Sequence, residues 1–237
     1  PENERSYVVV DAFDRGSFVK IVGNNRIEGY TTRNSGGVPG NFKNYFVIEF
    51  DKSFEYRHTF ADGKLSDELY QQANHTGSVI GFRTEKGEKV HARVASSFIS
   101  LEQAERNLKE LGDDDFDALV EKGKTEWNEV LGAIQVEGGS LDQYRVFYSC
   151  LYRSVLFPRK FYEFDAAGNI VHYSPYNGNV LSGYMYTDTG FWDTFRCLFP
   201  LLNLVYPSRN REIQEGLINT YKESGFFPEW ASPGHRG

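Results

Sequence analysis

The chain has 237 residues, 40% of them hydrophobic and 16% aromatic, with 19 Phe and 15 Tyr. That supports one large domain or two smaller ones with a sizeable core. The net charge is −7 and no basic patch interrupts it, which argues against nucleic acid and anionic membranes as partners. No stretch approaches the roughly 20 apolar residues of a membrane span. The charge is uneven: residues 1–98 balance 13 basic against 13 acidic side chains, whereas residues 99–132 carry 10 acidic and 4 basic. No signal-like segment opens the chain, since polar Pro1 to Arg5 leads straight into a strand-like run.

Residues 1–98 read as β structure. Tyr7 to Val10, Ser17 to Val22, Asn44 to Phe50, Ser78 to Phe82 and Lys89 to Ser97 are short β-rich runs. Turn clusters separate them at Gly23-Asn24-Asn25, Asn34-Ser35-Gly36-Gly37, Asp62-Gly63 and Glu85-Lys86-Gly87. This spacing predicts antiparallel sheets arranged as a sandwich. Arg57-His58-Thr59 carries no clear signal.

The period then changes. Ser100 to Gln103 is a capping box, Ala104, Leu108 and Leu111 share a face, and Gly112 suits a helix end. A second helix is expected from about Asp114 to Leu131, with Phe116, Leu119, Val120, Trp127, Val130 and Leu131 as its apolar stripe. Asp113, Asp114 and Asp115 read as a solvated cap of that helix rather than a metal site. A third helix follows Ser140, with Tyr144, Phe147, Tyr148, Leu151, Tyr152 and Val155 at helical spacing until Pro158. Residues 159–182, including His172, read as a long surface loop. A fourth helix is expected from Thr189 through Phe199, capped by Asp188 and interrupted at Pro200. A fifth spans Ser208 to Glu223, with Ile213, Leu217, Ile218 and Tyr221 buried and Gly225 closing it. Cys150 and Cys197 fall in apolar helical patterns and are expected to be buried free thiols.

Two runs concentrate chemistry. Gly183 to Arg196 alternates aromatic rings with hydroxyls, carboxylates and Arg, and Pro228-Glu229-Trp230-Ala231-Ser232-Pro233-Gly234-His235-Arg236 repeats the mixture near the end of the chain. A pyranose offers apolar C–H faces to stack on rings and a rim of hydroxyls that need donors and acceptors. The mixture therefore points to a sugar site. A Ser/His/Asp triad is not supported, because no nucleophile elbow is present.

Phe147 to Ser154, Tyr186 to Arg196, Leu198-Phe199-Pro200-Leu201-Leu202, Gly225 to Trp230 and Ser232 to Arg236 together resemble glycoside hydrolase family 92, the calcium-dependent exo-acting α-mannosidases. The resemblance implies part of a β-sandwich over residues 1–98, a helical linker over 99–139 and the first part of an (α/α)6 catalytic barrel over 140–237. It implies inverting removal of terminal α-linked mannose from glycans such as N-glycans or mannans, in a secreted or periplasmic setting. An inverting enzyme uses one protonated carboxyl and one carboxylate about 6.5–9.5 Å apart. In the family these carboxylates and the Ca2+ come largely from later in the barrel, so no catalytic residue is expected in this segment. The remainder of the same polypeptide is the expected partner, together with a mannose-containing oligosaccharide or glycoprotein glycan.

The resemblance implies substrate-binding roles for seven residues. Trp192 walls the sugar, Asp193 accepts hydrogen bonds from hydroxyls, and Arg196 orients Asp193 from one turn on. Glu229 pairs with substrate or with a neighbouring group, Trp230 contacts sugar, and His235 and Arg236 line a subsite. A single Trp-Asp pair does not fix sugar identity, so another (α/α)6 glycosidase or a non-catalytic carbohydrate-binding module remains a competing reading.

Overall fold

The computed structural model describes residues 3–233, with side chains from Ser6 onward. The chain divides into two compact units: Pro1–Ser35 with Asn41–Gly112, and Gly36–Gly40 with Asp113–Gly237.

The first unit carries nine strands: β1 (Asn3–Asp11), β2 (Ser17–Val22), β3 (Arg26–Thr31), β4 (Asn44–Phe50), β5 (Tyr56–Ala61), β6 (Lys64–Ser66), β7 (Tyr70–Ala73), β8 (Thr76–Thr84) and β9 (Ala92–Ser97). They form a five-stranded sheet, β7-β2-β3-β4-β9, and a four-stranded sheet, β1-β8-β5-β6, antiparallel throughout. Val19, Ile27 and Phe50 from one sheet meet Ile80 and Phe82 from the other, which is the core of a sandwich. β4 has both faces covered. Phe46, Ile48 and Phe50 point into the sandwich, while Tyr45 and Val47 meet Ala104 and Leu108 of α1 (Leu101–Leu108) on the outside. This explains why Asn44 to Phe50 reads as a nearly unbroken apolar run.

The sequence reading missed β3, β5, β6 and β7. In β3, Arg26 and Glu28 alternate with the fully buried Ile27, and their charges hide the strand signal. Those charges pair on the sheet's outer face: Arg26 binds Glu28 at 3.1 Å, Glu49 at 3.4 Å and also Glu105 of α1, while Lys20 binds Glu28 at 3.3 Å. Burial opposes the Arg26 charge, but Glu105, Glu28 and Glu49 outweigh it and hold its pKa above the ordinary value. At the start of α1 the Ser100 hydroxyl accepts from the Gln103 backbone N–H, as the capping pattern implies.

The second unit contains α2 (Phe116–Leu131), α3 (Leu141–Leu156), β10 (Arg159–Lys160), β11 (Glu163–Phe164), β12 (Ile170–Tyr173), β13 (Val180–Ser182), β14 (Tyr186–Thr187), β15 (Thr189–Gly190), α4 (Phe191–Thr194), α5 (Leu198–Val205), α6 (Pro207–Ser224) and β16 (Trp230–Ala231). No helix among the described residues is long and apolar enough to cross a membrane. α2 begins at the Asp115 cap, which accepts from Ala118 N–H, and α3 begins in a full capping box between Ser140 and Gln143.

Four sequence expectations need correction here. α2 has no buried residue and α3 buries only Leu151, so the predicted stripes exist but lie open. Residues 159–182 are not a loop: short strands β10 to β13 run through them, too brief for periodicity to register. Cys150 and Cys197 are exposed; Cys150 lies a third of a turn from Leu151, the one covered position of α3, and Cys197 falls in the break before α5. α6 buries Ile213, Gly216, Leu217 and Thr220, whereas Ile218 and Tyr221 are about half exposed, so the buried face is rotated from the apolar one. The reason is that small residues on α6 admit the strand-like segment 183–187. Asn219 Nδ2 donates to the Tyr184 carbonyl at 2.9 Å, and a Cβ at Gly216 would crowd Tyr186 at 3.1 Å.

Candidate functional site

The motif around Trp192 starts from a backbone crossing. β14 pairs with β10, and β15 pairs with β16, so two short ladders meet at Asp188. Asp188 takes the turn with φ of 62° and ion-pairs with Arg159 Nε at 2.7 Å. It does not cap the following helix. The cap position belongs to Gly190, because Thr189 and Gly190 are held in the ladder and α4 starts only after them. The expected single helix through Phe199 is also broken. α4 ends at Thr194, residues 195–197 turn, and α5 begins at Leu198. Pro200 sits in the first turn of α5, where its missing N–H is not needed, so it does not cause the break.

Gly190 is the centre of the arrangement. In the β15–β16 ladder it faces Trp230, and a Cβ added at Gly190 would lie 2.3 Å from Trp230 Cε3 and Cζ3 and 2.6 Å from Asp193 Oδ2. Only glycine lets the ring and the carboxylate converge there. The Phe191 N–H, donated to the Glu229 carbonyl at 2.9 Å, ties the second motif to the first. Beside them opens a cavity of about 690 Å³ walled by Phe191, Trp192, Phe195, Leu217, Phe227 and Glu229. Trp192 is 62% exposed and Trp230 43%, so both present ring surface to solvent. The hydroxyls of Thr189 in this ladder and of Ser232 just after it are buried and have no hydrogen-bond partner among the described residues.

Arg196 takes a different position from the one expected. Its guanidinium lies 5.1 Å from the Trp192 ring centre and 4.7 Å from that of Phe195. No described ion pair joins it to Asp193, because the helix has ended before Arg196 and the one-turn spacing no longer aligns the two side chains. The cation covers one face of Trp192 and holds the ring. Of the seven candidate residues, the structure gathers Trp192, Asp193, Glu229 and Trp230, with Arg196 behind Trp192. His235 and Arg236 lie outside the described residues.

Sequence reasoning missed the aromatic wall of Phe191, Phe195 and Phe227. Phe191 and Phe195 stack with ring centres 6.2 Å apart, and Phe227 stacks on Tyr221 at 5.0 Å. Sequence reasoning also placed His172 on the surface, whereas it is fully buried, bonded through Nδ1 to the Gly183 carbonyl at 2.8 Å and through Nε2 to Glu223 at 2.9 Å. Among the described residues no group of three or more His, Cys, Asp or Glu comes close enough to hold a metal ion. The described residues therefore do not by themselves form a Ca2+ site.

Known proteins share this fold. Residues 1–97 match the glycosyl hydrolase family 92 N-terminal domain, and residues 103–237 match the glycosyl hydrolase family 92 catalytic domain. An inverting mannosidase of family GH92 from Bacteroides thetaiotaomicron VPI-5482 is similar at 50% identity and a TM-score of 0.96, over 100% of this chain and 33% of that one. An α-mannosidase of the family from Bacteroides thetaiotaomicron, solved in complex with mannoimidazole, is similar at 25% identity and a TM-score of 0.88, over 100% of this chain and 32% of that one. The chain thus spans about a third of the length of these solved structures. No curated protein matches it. With an N-terminal β domain and the opening of the helical domain matched in order along the whole chain, the protein belongs to glycosyl hydrolase family 92.

Proposed function

We propose that this chain is the sandwich and early-barrel portion of an exo-acting α-mannosidase that removes terminal α-linked mannose from glycans with inversion. The observation that carries the reading is the convergence of the Asp193 carboxylate and the Trp230 ring on Gly190, beside an apolar cavity walled by Trp192. A ring binds the C–H face of a pyranose, and a carboxylate accepts from two neighbouring hydroxyls. Family membership and the inverting mannosidase among the solved structures support mannose as the sugar.

In this reading Asp193 orients the sugar, Trp192 and Trp230 wall it, Arg196 braces Trp192, and Glu229 contributes a polar group at the rim. His235 and Arg236 extend the same subsite. The acid and base carboxylates and the ligands of the Ca2+ belong to the remainder of the polypeptide. The substrate is a mannose-containing oligosaccharide or glycoprotein glycan, met in a secreted or periplasmic setting.

The test is turnover by the complete polypeptide on aryl α-mannosides and α-glucosides, with the product anomer followed by proton NMR. Cleavage of the α-mannoside to the inverted anomer, abolished by a calcium chelator, is the expected result. Cleavage of the α-glucoside alone, or sugar binding without turnover, would overturn the reading. The isolated 237 residues are expected to show no turnover.

A further inference from the structure

The pair His172–Glu223 lies outside the aromatic cavity, yet its burial is extreme. His172 is 0% exposed and the Glu223 side chain 8%. Both ring nitrogens of His172 face acceptors: Nδ1 the Gly183 carbonyl at 2.8 Å, Nε2 the Glu223 carboxylate at 2.9 Å. The other Glu223 oxygen, Oε2, is buried with no hydrogen-bond partner among the described residues. Among the described residues the carboxylate is therefore hydrogen-bonded by His172 alone, and losing that bond strands a buried polar group.

The location gives the pair its meaning. His172 is on β12 and Glu223 is in the last turn of α6. Two residues beyond Glu223, Gly225 closes the helix with φ of 89°, the left-handed value that favours glycine. The chain then runs through Phe227, stacked on Tyr221, to the Glu229 carbonyl that receives Phe191 N–H and to Trp230 against Gly190. Gly183, whose carbonyl takes the other side of His172, leads along α6 into the segment 184–190. One imidazole thus joins the strand that feeds the first motif to the helix end that feeds the second.

We propose that His172 and Glu223 are positioning residues for the sugar site: their bond fixes the end of α6 against residues 172 and 183, and so sets Trp230 on Gly190. The proposal rests on the sugar-site reading only for its effect on substrate; its effect on Trp230 stands apart from that reading. It concerns no group that touches sugar.

The experiment uses 6-fluorotryptophan, whose fluorine sits on Cη2, away from the Cε3–Cζ3 edge that meets Gly190. In the complete polypeptide the fluorine lines of Trp127, Trp192 and Trp230 are assigned by Trp→Phe substitution. Glu223→Ala and His172→Asn, which keeps the Nδ1 donor but not the Nε2 one, are expected to shift and broaden the Trp230 line while leaving that of Trp127 in place. Glu223→Gln and His172→Gln preserve a hydrogen bond across the gap and are expected to restore the wild-type Trp230 line. If Glu223→Ala does not fold, the contrast between His172→Asn and His172→Gln decides. An unmoved Trp230 line in both disrupting variants, even with a lowered melting temperature, would overturn the proposal, because it leaves the pair with a structural role only. In the complete polypeptide, Glu223→Ala is expected to raise KM for an α-mannoside about tenfold with kcat little changed. A shifted Trp230 line with unchanged KM overturns the link to substrate. Absence of turnover in the wild type overturns the mannosidase reading and leaves the fluorine result to judge the positioning.

Discussion

At the scale of single residues, Gly190 decides the most. Its missing side chain is where Trp230 and Asp193 meet. Gly190→Ala would place a methyl carbon 2.3 Å from the Trp230 ring and so forces the ring away, against a backbone held in the β15–β16 ladder. The expected result is a loss of about 1–3 kcal/mol in unfolding free energy, typical of overpacking, with Trp emission shifted to the red. Unchanged stability and emission would mean that the ring does not rest there. Trp192, Asp193, Glu229 and Trp230 were legible in the sequence because rings beside carboxylates suit no apolar core. Gly190 was not, since a glycine before a helix reads as an ordinary turn. His172 was misread for a related reason: a histidine in a stretch that reads as a loop looks solvent-facing until its partner, 51 positions away, is known.

At the scale of elements, starts were easier to read than faces. Ser140 and Gln143 cap α3 reciprocally, with Ser140 N–H donating to Gln143 Oε1 at 2.8 Å and Gln143 N–H to Ser140 Oγ at 3.4 Å. Ser140→Ala is expected to cost about 1 kcal/mol, measured by urea unfolding with an unchanged m-value. Such caps are local and can be seen in four residues. Which side of a helix is covered depends on what arrives from elsewhere. α6 leaves Ile218, which lines the cavity, and Tyr221 about half exposed and buries Gly216 and Thr220, since the segment 183–187 needs small neighbours. β3 shows the same limit in a strand, where Glu28 is 7% exposed only because Arg26 and Lys20 neutralise it.

At the scale of the whole molecule, the order of β sandwich and helices was legible because the hydrophobic period changes near Ser97. The covering of the helices was not. β2, β3 and β8 include fully buried Val19, Ile27 and Ile80, whereas α2 has no buried residue. Hydrogen exchange on the isolated chain is therefore expected to divide it: amides of β2, β3 and β8 protected to near the global stability, those of α2 exchanging orders of magnitude faster. Equal protection in both would contradict the burial pattern. The pairing of β1 with β8 also has a consequence for synthesis. Val8 is matched with Ile80, and β5 joins the same sheet only through β8 and the small β6. On a ribosome adding about 5–20 residues per second, β1 waits several seconds, as an unpaired apolar strand, for its partner to emerge. The nascent chain's exposure to chaperones and to misassociation with neighbouring polysomes should thus be greatest in that interval, and it ends when β8 closes the sheet.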